Sequence, residues 1–439
     1  MELVNSISDI ITDINNEYSL TNNDYNDVLN YVAELINITN DKNIDYIQYI
    51  FDQVVDTNLQ LVDSEVVLPK DNSTNSVPEE YIKLVDHVKY IAKLPQPEQR
   101  TQEWFDMRKK MLTASTLAQA LDQNPYANQS ANHLVLDKVG FSKRFVENIY
   151  VHHGKKYEEV ATMIYEHLYD IQIDEYGLIP DISPNKSGFL GASPDGIATK
   201  YKLTDRSFSD RVGRMLEIKC PYTRKIKLKG KIDGEICPHY YWCQVQQQLK
   251  CCALEKCDFW QCSLSEYASE EQLLNDETET LIYQEQEKPM TFNKNIGMGI
   301  IIQLRSKKDY SNNEYSCKYI YPPHLNFTLN QYKRWVIREL ENLKPGNFIF
   351  DKLLYWKLKI AHNVCINFDY AWFESIMPKL NETWNKVLYY RDHMNEAKVL
   401  HKNINPVKKY DDAFICSDSS EELESSQEES NKKTKSANK

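Results

Sequence analysis

The sequence predicts an α/β fold with a central mixed β-sheet flanked by helices. Three observations predict it. Between residues 100 and 345, segments with a helical apolar period alternate with short apolar runs, as in sheets whose strands are joined through helices. One run, "MLEIKC" at 215–220, is ended by a proline and is apolar except at Glu217 and Lys219. Side chains two apart on a strand share a face, so this strand presents a carboxylate and an ammonium side by side.

The elements follow in chain order. Leu3, Ile7, Ile10, Ile11 and Ile14 form one apolar stripe, and Tyr25, Val28, Leu29, Val32, Leu35 and Ile36 form another behind Asn23 and Asp24, which are placed to cap. Residues 1–69 therefore read as a small helical domain, and 70–99 as a linker with a short helix, broken by "LPQPEQ". The α/β domain, 100–345, contains the helix "HHGKKYEEVATMIYEHLYD" and the turn "FLGASPDGIAT", which feeds a strand. The strand "MLEIKC" follows, then the helix "YYWCQVQQQLKCCAL" and strands around "CDFWQCSL" and "IGMGIIIQL". The amphipathic "QYKRWVIRELENL" closes the domain. Residues 346–410, with Trp356, Trp372, Phe373 and Trp384, read as a helical extension packed on the sheet. Residues 411–439 are poor in apolar side chains and read as a disordered acidic and lysine-containing tail.

Composition narrows the function classes. No apolar run approaches the roughly 18 residues a membrane span needs, and the acidic start "MELVNSISDIITDINNEY" does not read as a signal peptide. Ten cysteines in 439 residues make no dense disulfide framework, which points to a reducing intracellular compartment. Net charge is −12, but residues 1–80 hold 16 acids and 2 bases, and 411–439 hold 8 acids and 4 bases. The body between them carries 40 acids and 46 bases, a mildly basic surface able to attract phosphates at short range.

An isolated E-x-K is accounted for by a salt bridge on a strand face. Glu217 and Lys219 have company, however. Pro194-Asp195-Gly196 turns the chain and holds a carboxylate at the mouth of a strand, and "HGKKYEEVA" places Glu158 on a helix behind Gly154. Three acids and a lysine converging from a helix and two strands suit Mg²⁺ or Mn²⁺, which keep waters and bind phosphate as well. Phosphodiester hydrolysis fits this set. Asp195 and Glu217 would hold a metal with the Ile218 carbonyl between them, and Glu158 would help hold a second ion or its water. Lys219 would orient or deprotonate the attacking water, or neutralise developing charge. Burial lowers its pKa and the carboxylates raise it, so its protonation stays open.

The ordered set G-x-x-x-E (154–158), S-P-D-G (193–196) and L-E-I-K-C-P (216–221) resembles the PD-(D/E)xK nuclease superfamily. More narrowly it resembles the phage lambda exonuclease family, the YqaJ-type viral recombinases. "WFDMRKKMLTAS" (104–115) and "CQVQQQL" (243–249) extend the likeness, which covers residues 104–265 and more loosely the chain to 343. The resemblance implies a metal-dependent exonuclease degrading duplex DNA from the 5′ end in viral-type recombination or replication, with two Mg²⁺ or Mn²⁺ ions. It places Glu158, Asp195, Glu217 and Lys219 at the catalytic and metal positions, and Gln244 at the active-site glutamine; Gln248 shares its helix face. Arg108, Ser115 and Ser193 fall where the family binds the terminal 5′-phosphate, and Trp104 near the separating strand end. The basic residue after C-P-Y is Arg224 or Lys225, in a run continued by Lys227, Lys229 and Lys231. DNA duplex ends are the implied partner, with a single-strand annealing protein and a homo-oligomer as further candidates; host cytoplasm, virion and nucleus all remain open. Residues 1–85 and 346–439 have no counterpart in the short phage enzyme.

Two other readings share the core: an endonuclease or RNA-degrading nuclease, and a non-catalytic DNA-binding scaffold. Cys237, Cys243, Cys251, Cys252, Cys257 and Cys262 crowd one interval, and some relatives in the superfamily carry an iron–sulfur cluster. No C-x-x-C pair occurs here, and the positions suit small buried hydrophobes. His152 and His153 read as residues at the start of the helix that carries Glu158.

Overall fold

The computed structural model describes residues 78–405 apart from residues 100, 127–129, 142–147, 200–201, 203–207, 279, 308–314, 316 and 345. The expected helical domain 1–69 and the tail 411–439 lie outside the described residues. Two compact units divide the described residues: those up to 118 with those of 145–376, and those of 119–144 with those from 377 onward. No helix among the described residues is long and apolar enough to cross a membrane.

In the first unit, α1 (Glu79–Lys93) is the helix expected in the linker, and α2 (Gln102–Lys109) is capped by the Thr101 hydroxyl. β1 (Leu112–Thr113) and a 3₁₀ turn, Ala114–Thr116, lead into α3 (Leu117–Ala120). The second unit contributes α4 (Ala131–Leu136). α5 (Ile149–Tyr169) begins where the Asn148 side chain accepts from Val151 N and stops at Asp170, in left-handed conformation. β2 (Ile173–Asp174), β3 (Ile179–Pro180), β4 (Leu190–Ala192) and β5 (Gly196–Ala198) are short; β6 (Met215–Lys219) follows them. α6 (His239–Cys252), β7 (Lys256–Tyr267), α7 (Glu270–Leu274), β8 (Thr280–Glu285), β9 (Lys288–Asn293), β10 (Met298–Ser306) and β11 (Cys317–Ile320) come next. α8 (Leu329–Glu341) starts with a Thr328/Gln331 capping box, before β12 (Phe348–Asn367), α9 (Tyr370–Asp392) and α10 (Met394–Ile404).

The main sheet runs β11-β10-β12-β7-β6-β5-β2, with the β8–β9 hairpin branching from β12. β6 and β7 are parallel; β5–β6, β7–β12 and β10–β12 are antiparallel, so the sheet is mixed as expected. A second sheet has the order β1-β4-β3. β6 alternates cleanly. Leu216, Ile218 and Cys220 join Tyr157, Val160, Ala161, Ile164 and Tyr165 of α5, and Trp260 and Cys262 of β7, in the main core. Glu217 and Lys219 point to the other face, towards α6. Each fully buried apolar side chain in such a core contributes about 1.5–3 kcal/mol, which fixes the register and therefore where Glu217 lies.

The extension expected to be helical over 346–410 is corrected at its start. Phe348–Asn367 is a strand of 20 residues in the middle of the main sheet, so the α/β unit runs on past 345 to Ile376. Leu354, Trp356 and Leu358 are buried at every second position, with the less buried Tyr355 and Lys357 between them. That period of two belongs to a strand, and the many aromatic residues conceal it. The helical expectation holds from Tyr370 onward, in α9 and α10.

In the second unit α4 packs with α10, Thr383 donates to the Ala120 carbonyl at 3.1 Å, and Phe141 stacks on His401.

Candidate active site

Asp195 lies in the turn between β4 and β5. Gly196 is required there, because a Cβ would overlap the Ile173 side chain on β2. The turn lets Asp195 Oδ2 accept from the Ile218 backbone N–H at 2.7 Å, binding the S-P-D-G turn directly to the strand that bears Glu217 and Lys219. Asp195 and the E-x-K pair are thus one assembly.

Glu217 is fully buried. Its Oε1 accepts from Lys219 Nζ and from Gln244 Nε2 at 2.7 Å, and its Oε2 from Gln248 Nε2 at 2.6 Å. A carboxylate has roughly four acceptor positions, so one on Oε2 remains. Gln244 and Gln248 are one helical turn apart on α6 and close over Glu217 together. Lys219 Nζ also lies 4.7 Å from the centre of the Tyr241 ring. Burial alone would lower the Lys219 pKa, but Glu217 and Asp195 outweigh it and hold the ammonium protonated.

Burial and the neighbouring Glu217 charge push the Asp195 carboxyl well above its usual range, and Glu158 on α5 pushes it further; Lys219 and the Ile218 N–H pull it back. Asp195 therefore feels two other carboxylates, Glu217 from β6 and Glu158 from α5. Among the described residues no group of three or more His, Cys, Asp and Glu converges into a metal cage. An Mg²⁺-type ion asks for less: one or two carboxylates, waters and a substrate phosphate. Asp195, raised by its acidic neighbours, and Glu217, with one acceptor position remaining, fit that demand as hard oxygen donors.

The residues expected at a terminal phosphate also come together. Arg108 Nη2 donates to Ser115 Oγ at 3.1 Å, and the guanidinium lies 4.4 Å over the Trp104 ring. Trp104 Nε1 donates to Ser193 Oγ at 3.2 Å, so α2, the turn after β1 and the S-P-D-G turn form one corner. Burial pushes the Arg108 pKa down to about 10, which leaves it charged at neutral pH. Of the two candidate bases after C-P-Y, Arg224 joins the site: it donates to Gln261 Oε1 at 2.9 Å and lies 5.8 Å over the Tyr241 ring. Lys225 is exposed to solvent.

Gln247 was not singled out in the sequence. Its Nε2 donates to the Leu112 carbonyl at 2.9 Å and the Gly191 carbonyl at 3.0 Å, tying the parallel strands β1 and β4 to α6. Gln246 reaches the Asn367 carbonyl at 3.0 Å and accepts from Asp369 N. Four glutamines on a helix that is buried along most of its length are the available signal, since buried amides must find partners.

A sequence profile of the YqaJ-like viral recombinase domain matches residues 103–255, from the start of the Arg108 helix past the glutamine helix. Residues 103–255 are thus similar to the YqaJ-like viral recombinase domain. An uncharacterised protein of Acanthamoeba polyphaga mimivirus is 36% identical over 346 residues. That match takes in 77% of this chain, and the chain spans 61% of the relative's length. Among solved structures, two of the alkaline exonuclease LHK-Exo from Laribacter hongkongensis, one of them in complex with dAMP, align with 68% of this chain and 98% of their own. The identity is 15% and the TM-score 0.34 in both cases. The matched segment holds Glu158, Asp195, Glu217, Lys219, Gln244 and the Arg108 corner together with β2, β5 and β6 of the main sheet, while β7 to β12 lie beyond it.

The histidines before Glu158 have structural partners. His152 Nε2 and the Tyr319 hydroxyl are 2.6 Å apart, and buried His153 packs on Tyr157 and Tyr222. Burial and Lys156 push the His153 pKa down to about 4, below its ordinary 6.5. The unfolded chain therefore binds a proton that the folded chain refuses, and this group's stability is lost as pH falls from 6.5 towards 4. Urea midpoints measured across that range should fall less steeply for His153→Phe than for the wild type. Cys237, Cys243, Cys251, Cys252, Cys257 and Cys262 are all buried, most of them on α6 and β7, where they pack as small hydrophobes.

Proposed function

We propose that the protein is a metal-dependent nuclease that hydrolyses phosphodiester bonds at duplex DNA ends, from the 5′ end. The observation that carries the reading is the buried Glu217–Lys219 pair, fastened to Asp195 through the Ile218 N–H and closed over by Gln244 and Gln248. A salt bridge serving only the fold has no need of a second carboxylate, Asp195, raised by its neighbours. The YqaJ-like domain match supports the nuclease class, and the Arg108 corner supports a terminal phosphate as the group recognised.

When bound at Asp195 and Glu217, with Glu158 beside them, a divalent ion would polarise the phosphate and acidify the attacking water. The protein's own groups do the rest. Lys219 holds an ammonium next to the scissile position, where it neutralises developing charge and orients the water. Gln244 keeps Glu217 in one orientation. Arg108 and Ser115 offer a guanidinium and a hydroxyl to the 5′-phosphate, and Arg224 offers charge to the strand entering the site.

A time course on linear duplex DNA labelled at either end, with Mg²⁺ and with or without a 5′-phosphate, tests this. Loss of the 5′ label, stimulated by the phosphate and reduced by about 10³-fold or more in Lys219→Ala, is the expected result. Internal cuts indifferent to the phosphate would replace it with an endonuclease. Wild-type protein that binds DNA without cutting it would replace it with a scaffold.

A further inference from the structure

The Arg108 corner and the Glu217 carboxylate are joined by hydrogen bonds within the protein. Arg108 lies on Trp104, Trp104 donates to Ser193 Oγ, and the Ser193 carbonyl accepts from Gln248 Nε2 at 3.3 Å. The same amide nitrogen donates to Glu217 Oε2 at 2.6 Å. Both N–H groups of Gln248 are thus committed, one to the phosphate corner and one to the carboxylate. Its Oε1 is buried without a partner, and the side chain is wholly excluded from solvent. A buried amide accepts that loss only where its two donors are needed in place.

Gln247 strengthens the link. It grips Leu112, three residues before Ser115, and Gly191, two residues before Ser193. Asp195 in turn follows Ser193 by two residues and is fixed to β6. Any displacement of the Ser193 carbonyl is therefore transmitted to Glu217 through Gln248 and to β6 through Asp195.

We propose that Gln248 is a positioning residue that couples a strand-terminal phosphate in the Arg108 corner to the orientation of Glu217. The inference rests on the nuclease reading above. A phosphate monoester arriving at Arg108 and Ser115 competes for groups that now bond each other, and it shifts the guanidinium on the Trp104 face. The shift passes through Ser193 to the Gln248 amide, which cannot turn without releasing Glu217. Phosphate at the end then speeds the chemical step as well as improving binding.

The test is a double-mutant cycle with wild type, Arg108→Ala, Gln248→Met and the double variant, on duplexes ending in 5′-phosphate or 5′-hydroxyl. For Gln248→Met, kcat on phosphorylated ends should fall about 10- to 100-fold with KM moving less than about threefold, as for a group that orients an active-site ligand. The ratio of kcat between the two kinds of end should collapse towards unity, and Arg108→Ala added to it should cause no further loss. Gln248→Asn, which keeps the amide but is too short to span both acceptors, should behave the same and serves where Gln248→Met does not fold. A ratio unchanged in either variant, or losses that multiply in the double variant, overturns the coupling. Wild-type cleavage at equal rates on both ends overturns the coupling and leaves the nuclease standing. No cleavage of any end by the wild type overturns both.

Discussion

Asp195→Asn is expected to abolish cleavage while making the metal-free protein more resistant to heat. The carboxyl is held well above its usual range by burial, by Glu217 and by Glu158, so folding at neutral pH works against its charge. That penalty is present at neutral pH and disappears as pH falls towards the ordinary value of 3.8. Asparagine removes the charge at every pH and keeps an oxygen for the Ile218 N–H, so the turn stays fastened to β6. A rise of several degrees in Tm is expected, since about 1 kcal/mol moves a domain of 150–250 residues by roughly 2–4 °C. The same change removes a hard donor from the proposed metal position, and kcat should fall by about 10³-fold or more. Thermal melts with and without Mg²⁺ or Mn²⁺ complete the test: either ion should raise the wild-type Tm and leave Asp195→Asn unmoved. A variant that melts lower, or that cuts at the wild-type rate, would show that Asp195 serves only the turn.

The residues of the candidate site are legible in the sequence to unequal degrees. Charged groups set in an apolar run or a tight turn stand out against the local pattern. Glu217 and Lys219 interrupt an apolar strand, and Asp195 sits between Pro194 and Gly196 where the chain must turn. Side chains that serve the site through ordinary amide bonds leave no such mark. Gln247 differs from Gln248 in the sequence only by position, and the rotation of α6 decides which one meets Glu217 and which the β1 and β4 carbonyls. The short strands β1 to β5, two or three residues each, lie below the length at which a period can be read. The β8–β9 hairpin also went unread. Its turn places Gln286 at φ 53° rather than a glycine, so the usual hairpin signal is missing. Arg224 and Lys225 are adjacent and chemically alike, and only the direction of the loop after β6 brings Arg224 over Tyr241.

The central place of β12 leads to the largest expected effect on stability. Trp356 is fully buried in the main core, paired across the sheet with Gly299 on β10 and Glu266 on β7. Trp356→Ala removes the largest kind of side chain from a sheet interior and should cost about 3–5 kcal/mol. In an outer helical layer the cost would be smaller, and half-buried Trp372 on α9 provides the comparison: Trp372→Ala should cost about 1–2 kcal/mol. The indole N–H of Trp356 has no hydrogen-bond partner, so Trp356→Phe keeps most of the packing and discards a buried donor that costs about 1–3 kcal/mol to leave unpaired. Phenylalanine should therefore come much closer to wild type than its lost area suggests. Urea unfolding of the three variants, with unchanged slopes, gives the order directly. Cleavage measured well below the melting temperature should be nearly normal in Trp356→Phe, because β7 stands between β12 and the strand that carries Glu217. Equal costs for Trp356→Ala and Trp372→Ala would return the segment to the outside of the fold. The expected gap would instead make β12 the strand on which the outer strands β10 and β11 depend for their attachment to β6 and β7.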